Sequence, residues 1–201
     1  MNIPSETQCY RIMAKMAMLP NIAAHSIRVC QVATLLTENL NSNGGDLNPA
    51  LIRAAALLHD ITKTRSLQTS ENHAQTGAFY LADRGYPEVS EIVAQHVNID
   101  SFNPDGEPTA AEVVNYADKR VLHDKVVPLD ERLVYIKKRY SCSAGELGSR
   151  VERMCREADA VEKKLFKTLP FSAAKLRLNL DPDVFEREVN RFKFVNSYRA
   201  K

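Results

Sequence analysis

Residues 57–63 read LLHDITK, and the end of an apolar helical run is an odd place for a histidine and an aspartate side by side. Leu51, Ala54 and Leu58 trace one helical face, and His59, Asp60 and Lys63 follow at the deepest point of that approach. Burying an unpaired charge or an unsatisfied polar group costs several kcal/mol, so the pair needs a partner. The fold is set by what else the chain sends toward it.

Periodicity is helical almost throughout, without convincing strand alternation. Ser5 caps a first helix carrying Cys9, Ile12, Met13 and Met16 inward until Pro20 stops it. A second helix spans about Asn21 to Leu40, and Asn48 followed by Pro49 opens a third that ends at His59 and Asp60. Residues 61–70 lack an apolar stripe and read as a loop, with Ser70 capping a fourth helix stopped by Gly85. Pro87 starts a fifth helix reaching about Asn98, and a sixth begins near Thr109 and breaks at Pro128. Leu133, Ile136 and Tyr140 mark a shorter helix. Leu147, Val151, Met154, Ala158, Val161 and Leu165 mark a long amphipathic one, packed on the domain or on a copy of itself as a homodimer. Asp181 and Pro182 cap a last helix with Phe185, Val189 and Phe192 inward.

On these helices the ionisable residues converge. His25 shares a face with Ile22, Val29, Val32 and Leu36, and His96 completes Val89, Ile92 and Val93. His73 aligns with Gly77 and Leu81, and Asp118 with Ala111 and Val114. One such histidine alone is an ordinary core residue satisfied by carbonyls. Six inward groups, His25, His59, Asp60, His73, His96 and Asp118, require a shared counter-charge. Imidazole with carboxylate suits one or two divalent Fe, Mn, Co or Zn ions rather than Ca or Mg.

The order H, HD, H, H, D resembles the HD-domain metal-dependent phosphohydrolase superfamily, in its HDIG-type version, over roughly residues 5–140. The resemblance implies an all-α HD-domain bundle over 1–140 with additional C-terminal helices over 141–201. It implies one metal on His25, His59, Asp60 and Asp118, and a second bridged by Asp60 and held by His73 and His96. A hydroxide between the metals would be the nucleophile, with Asp60 and Lys63 carrying catalysis. Lys63 matches the lysine of HDIGK-like motifs that meets a substrate phosphate, and Arg65, Lys119, Arg120 and His123 are further candidates for phosphate contact. Thr62 stands where HDIG has glycine. No GYP signature is present, and Lys63 and Thr64 replace the acidic pair of guanosine tetraphosphate hydrolases. A small phosphorylated or nucleotide-like substrate is the expectation. The rivals are a di-iron oxygenase of the same family, acting on a small polyol or phosphonate, and a non-catalytic metal-binding interaction module.

Composition agrees with a globular protein: 44% hydrophobic and 26% charged residues leave neither a disordered nor a fibrous class. Residues 151–201 hold 12 Lys/Arg against 8 Asp/Glu, a surplus too thin for a nucleic-acid footprint. Cys9, Cys30, Cys142 and Cys155 form no C-x-x-C pair and read as free thiols of a reducing compartment. Without a leader pattern or an apolar span, the expectation is a cytoplasmic protein with no membrane contact.

Overall fold

The computed structural model describes residues 1–140 and 146–197. The expected boundary loop at 141–145, with Cys142, lies outside the described residues, as does the side chain of Leu147.

The described residues are mostly helical, and local chemistry sets most helix starts. α1 (Glu6–Lys15) opens on a full capping box: Gln8 N–H donates to Ser5 Oγ, and Ser5 N–H to the Gln8 side chain. α3 (Pro49–Leu58) begins with Pro at its first position, and the Asn48 side chain accepts from the N–H groups of Ala50 and Leu51. α7 (Ala110–Lys119) carries a second capping box, Thr109 with Glu112. Pro20 begins α2 (Pro20–Ser42) rather than ending α1, because α1 already stops at Lys15. The free N–H of Leu19 is met by Thr64 Oγ1 at 3.0 Å.

Two further segments differ in kind from the sequence expectation. Residues 61–70 are not a plain loop but contain α4 (Lys63–Thr69), which buries none of its residues and so leaves no apolar stripe to read. Ser70 ends that helix in a left-handed conformation at φ 58°, and the cap of α5 (His73–Asp83) is Asn72. The second difference is a hairpin, β1 (Val121–Leu122) antiparallel to β2 (Lys125–Val126), with strands too short to show alternation. His123 sits in its two-residue turn at φ 57°.

The helices pack around α2 and α3. α5 and α6 (Pro87–Ala94) pair with each other, α6 lies on α3, and α7 lies against both α2 and α3. α6 ends four residues before the expected Asn98, so His96 stands just past a helix end rather than on its face. At Gly77 an added Cβ would come within 3.2 Å of Ile61 Cγ2, which is why α5 approaches the turn after α3 so closely.

The C-terminal helices share this core. α8 (Leu129–Tyr140) and α7 together take α9 (Glu146–Leu165), whose Met154, Ala158, Val161 and Leu165 are buried, so this chain itself covers the amphipathic stripe. α10 (Pro182–Ser197) rests on α1 and α2 through Phe185 and Phe192. Polar ties lock both attachments. Lys164 Nζ lies 2.7 Å from Glu112 Oε1 with both side chains buried, and Tyr10 donates to Glu188 at 2.8 Å. No helix among the described residues is long and apolar enough to cross a membrane.

Candidate metal centre

Helix ends supply most of the centre, and the face of α2 supplies His25. The last carbonyls of an α-helix have no partner within it. At the end of α3, Ala56 O is 2.8 Å from His59 Nδ1, and at the end of α6, Val93 O is 2.7 Å from His96 Nδ1. Each histidine thus sits three residues after the carbonyl that fixes its ring. His25, inside α2, finds the same kind of partner across the fold, with Nδ1 2.8 Å from His123 O at the hairpin turn. A carbonyl only accepts, so each of these three rings carries its proton on Nδ1, and in the neutral ring Nε2 presents a lone pair.

Those Nε2 atoms meet the carboxylates. His25 Nε2 lies 2.9 Å from Asp118 Oδ1, and His59 Nε2 is 3.8 Å from the same oxygen and 3.6 Å from Asp60 Oδ2. Asp60 Oδ1 is 3.2 Å from His73 Nε2 and 3.7 Å from His96 Nε2, and these two imidazole nitrogens are 3.1 Å apart. The rings run in a row, His25 to His59 to His96 to His73, with centroids 5.4, 4.9 and 5.1 Å apart. Two donor groups result, His25 with His59 and Asp118, and His59 with Asp60 and His96, each with its donor atoms within 4.8 Å of one another. His73 closes the second group through its contacts to Asp60 and His96.

The electrostatics follow from burial and mutual charge. Burial opposes protonation of His25, but the hydrogen bond and charge of Asp118 outweigh it and leave the group raised. Burial drives His59 down to about 4, the charge of Asp60 opposing and that of His96 adding. Burial also lowers His73. For Asp60, burial works toward protonation, yet His59, His73 and His96 hold its carboxyl well below the usual range. Asp118 is likewise held low against burial, by His25 and Arg132. Two anions and mostly neutral imidazoles therefore face one another in a buried space.

His59 Nε2 decides what that space is for. It is wholly buried and has no hydrogen-bond partner among the described residues. A lone pair left unmet in the interior, among carboxylate oxygens that are themselves acceptors, fits a cation. Donors bound at about 2.0 to 2.2 Å to one ion stand about 3 to 3.5 Å apart, close to the spacings here. Imidazole and carboxylate are the donors first-row transition metals take, and the carbonyl holding each Nδ1 is the outer support such ligands have.

A sequence-family model for the HD domain matches residues 22–122, half of the chain. The chain belongs to the HD domain family. No curated protein and no solved structure is significantly similar to it. The matched segment runs from α2 to β1 and contains every residue of the two donor groups.

The other candidate residues of this HD domain sit as follows. Lys63 reaches the cluster, with Nζ 3.2 Å from His73 Nε2. Arg65 turns to Glu71 at 2.6 Å and is half exposed. Lys119 is buried and donates to His96 O, Val97 O, Asn115 O and Asn115 Oδ1 at 2.9 to 3.4 Å, bracing the backbone that carries His96. Burial pushes Lys119 down to about 8, while four acceptor oxygens favour its charged form. Arg120 donates to Val127 O, Tyr116 Oη, Glu162 and Ala173 O, tying α7 to the C-terminal helices. His123 offers its carbonyl to the site, and its ring packs edge-on against Tyr135.

Two contributors gave no signal in the sequence. Thr62, at the position of the HDIG glycine, has φ −103°, so no glycine is needed there. Its buried hydroxyl lies 2.9 Å from His73 O and 2.9 Å from Thr76 Oγ1, which places the start of α5. Arg132 of α8 brings Nη2 to 3.9 Å from Asp118 Oδ1. Arg132 is an unremarkable helix arginine until the fold is known.

Proposed function

We propose that this HD domain is a metal-dependent hydrolase of a phosphoester or phosphoanhydride in a small, nucleotide-like substrate. The observation that carries the metal requirement is the buried, unpartnered Nε2 of His59, shared by both donor groups. His25, His59, Asp60 and Asp118 would hold one ion, and Asp60, His73 and His96 a second. A divalent cation supplies two things there, a lowered pKa for coordinated water and charge compensation for phosphoryl oxygens.

The chain's own groups do the rest. Asp60 and Asp118 stay ionised at neutral pH, because their imidazole neighbours hold them well below the usual range. The carbonyls of Ala56, Val93 and His123 hold the Nδ1 side of three rings, so that each turns Nε2 inward, where a cation would take the place of a proton. Lys63, half-buried beside His73, offers an ammonium to a phosphoryl oxygen as charge shifts in the transition state. Family membership and this lysine support phosphate chemistry over the oxygenase alternative. Lys119 and Arg120 spend their donors on protein groups and Arg65 turns its Nε to Glu71, whereas Lys63 stands beside His73, so Lys63 is the cation assigned to substrate from the sequence candidates.

The test is a screen of protein loaded with Mn, Fe, Co or Zn against phosphomonoesters, phosphodiesters and dinucleoside polyphosphates. Release of phosphate or nucleotide without oxygen, lost in Asp60→Asn, is the expected result. Oxygen uptake on a polyol or phosphonate, with no phosphoester cleaved, would overturn the proposal.

A further inference from the structure

We infer that Arg132 is a substrate-binding residue that receives a phosphoryl oxygen at the Asp118 end of the cluster, an inference that rests on the phosphohydrolase reading above. Its side chain is only 15% exposed, yet among the described residues its one charged partner within 4 Å is Asp118 Oδ1 at 3.9 Å, beyond hydrogen-bond reach. Its Nε is buried and has no hydrogen-bond partner among the described residues.

Three arginines that tie elements of this fold together do not behave that way. Arg120 commits Nε, Nη1 and Nη2 to acceptors in the protein. Arg28 donates from Nε to Asp124 O and from Nη1 to Gln31, and Arg191 uses both Nη atoms on Glu6 and Thr7. Arginines that hold this protein together spend their donors, whereas Arg132 keeps its fork open beside the donor cluster.

The fork is also held in place without consuming those donors. The guanidinium carbon lies 5.6 Å from the centre of the Tyr135 ring, and Tyr135 in turn packs against His123, whose carbonyl fixes His25. Asp118 is shared with His25 and His59. With a cation on that carboxylate, the guanidinium would lack a counter-charge, and a planar five-donor group of that kind matches an oxyanion such as phosphate. Lys63 stands at the opposite, His73 end of the row of rings, so Arg132 gives the other end a cation of its own.

The experiment is calorimetric titration of inorganic phosphate into the Mn-loaded full chain, for the parent, Arg132→Gln, Arg132→Lys and the exposed control Arg84→Gln. Mn affinity is measured for each, and circular dichroism confirms folding. Arg132→Gln is expected to weaken phosphate binding about tenfold or more, as loss of a charged hydrogen-bond donor implies. Its Mn affinity should stay within about twofold, Arg84→Gln should match the parent, and Arg132→Lys should fall between, keeping charge without the fork. Unchanged phosphate binding in Arg132→Gln, or none in the parent, would overturn the inference. So would a parallel loss of Mn affinity, which would make Arg132 a support for Asp118. Arg132-dependent phosphate binding without turnover of any phosphoester would sink the hydrolase reading and leave this one standing. Parental KM in an active Arg132→Gln would do the reverse.

Discussion

Replacing Lys164 by Met removes the ammonium from the tie between α7 and α9 while keeping most of its stem. Glu112 would then be left 1% exposed, with Oε1 deprived of its 2.7 Å partner and only Oε2 still served, by Thr109 N–H at 3.0 Å. Removing one member of a buried pair costs about 3 to 5 kcal/mol, since the survivor's desolvation is no longer offset. At about 2 to 4 °C per kcal/mol for a chain of this size, the melting temperature should fall by about 6 to 20 °C. Urea denaturation of the parent, Lys164→Met, Glu112→Gln and the double variant reads the cost directly. The double variant should recover most of it, because no charge remains to be buried. A loss under about 1 kcal/mol in Lys164→Met, the range of exposed pairs, would refute the reasoning by showing that α9 does not seal this contact from water.

Thr62→Val should lower stability by about 1 to 2 kcal/mol through loss of its bonds to His73 O and Thr76, and should reduce occupancy of the second ion, with Thr62→Ser restoring both; urea melts and metal analysis check this. His73→Ala should lose the second ion while keeping the first, measured as metal per chain. In the metal-free protein His59 stays neutral in the fold down to about 4 but takes a proton near 6.5 when unfolded. The unfolded state therefore binds more protons between those values, and stability falls as pH drops from 6.5 to 4, by about 3 kcal/mol at most from this group. Raised His25 acts oppositely, its contribution fading as pH rises above 6.5. Urea melts in chelator at pH 4.5 to 7.5 should show the decline, and a flat profile would contradict it. Burial pushes the Cys9 thiol far up, and with no exposed surface it should not react with a thiol reagent at pH 8 until the protein unfolds, whereas half-buried Cys30 should react slowly in the fold.

Much of the centre was legible because burial and ionisation conflict visibly in sequence. His25 could be placed inward since α2 carries an unbroken apolar face around it, and Ser5, Asn48 with Pro49, and Thr109 mark helix starts by their own side chains. His96 was placed inward for a partly mistaken reason, because it stands past the end of α6 and is turned in by Val93 O. α4 escaped notice because a helix with no buried residue has no periodic face. The hairpin escaped because two-residue strands carry no alternation, and with it went the main-chain carbonyl that fixes His25. Arg132 and the carbonyls of Ala56 and Val93 act through three-dimensional proximity or through backbone atoms, which residue identity does not report.

The measurement that bears most directly on the account is metal content per chain after equilibration with Mn, Fe, Co or Zn salts and desalting, for the parent beside His59→Ala. His59 is a ligand of the ion assigned to His25, His59, Asp60 and Asp118, so the account predicts one to two ions retained by the parent and loss of that ion from the variant. A parent that retains no ion, or a variant that binds as the parent does, would contradict it.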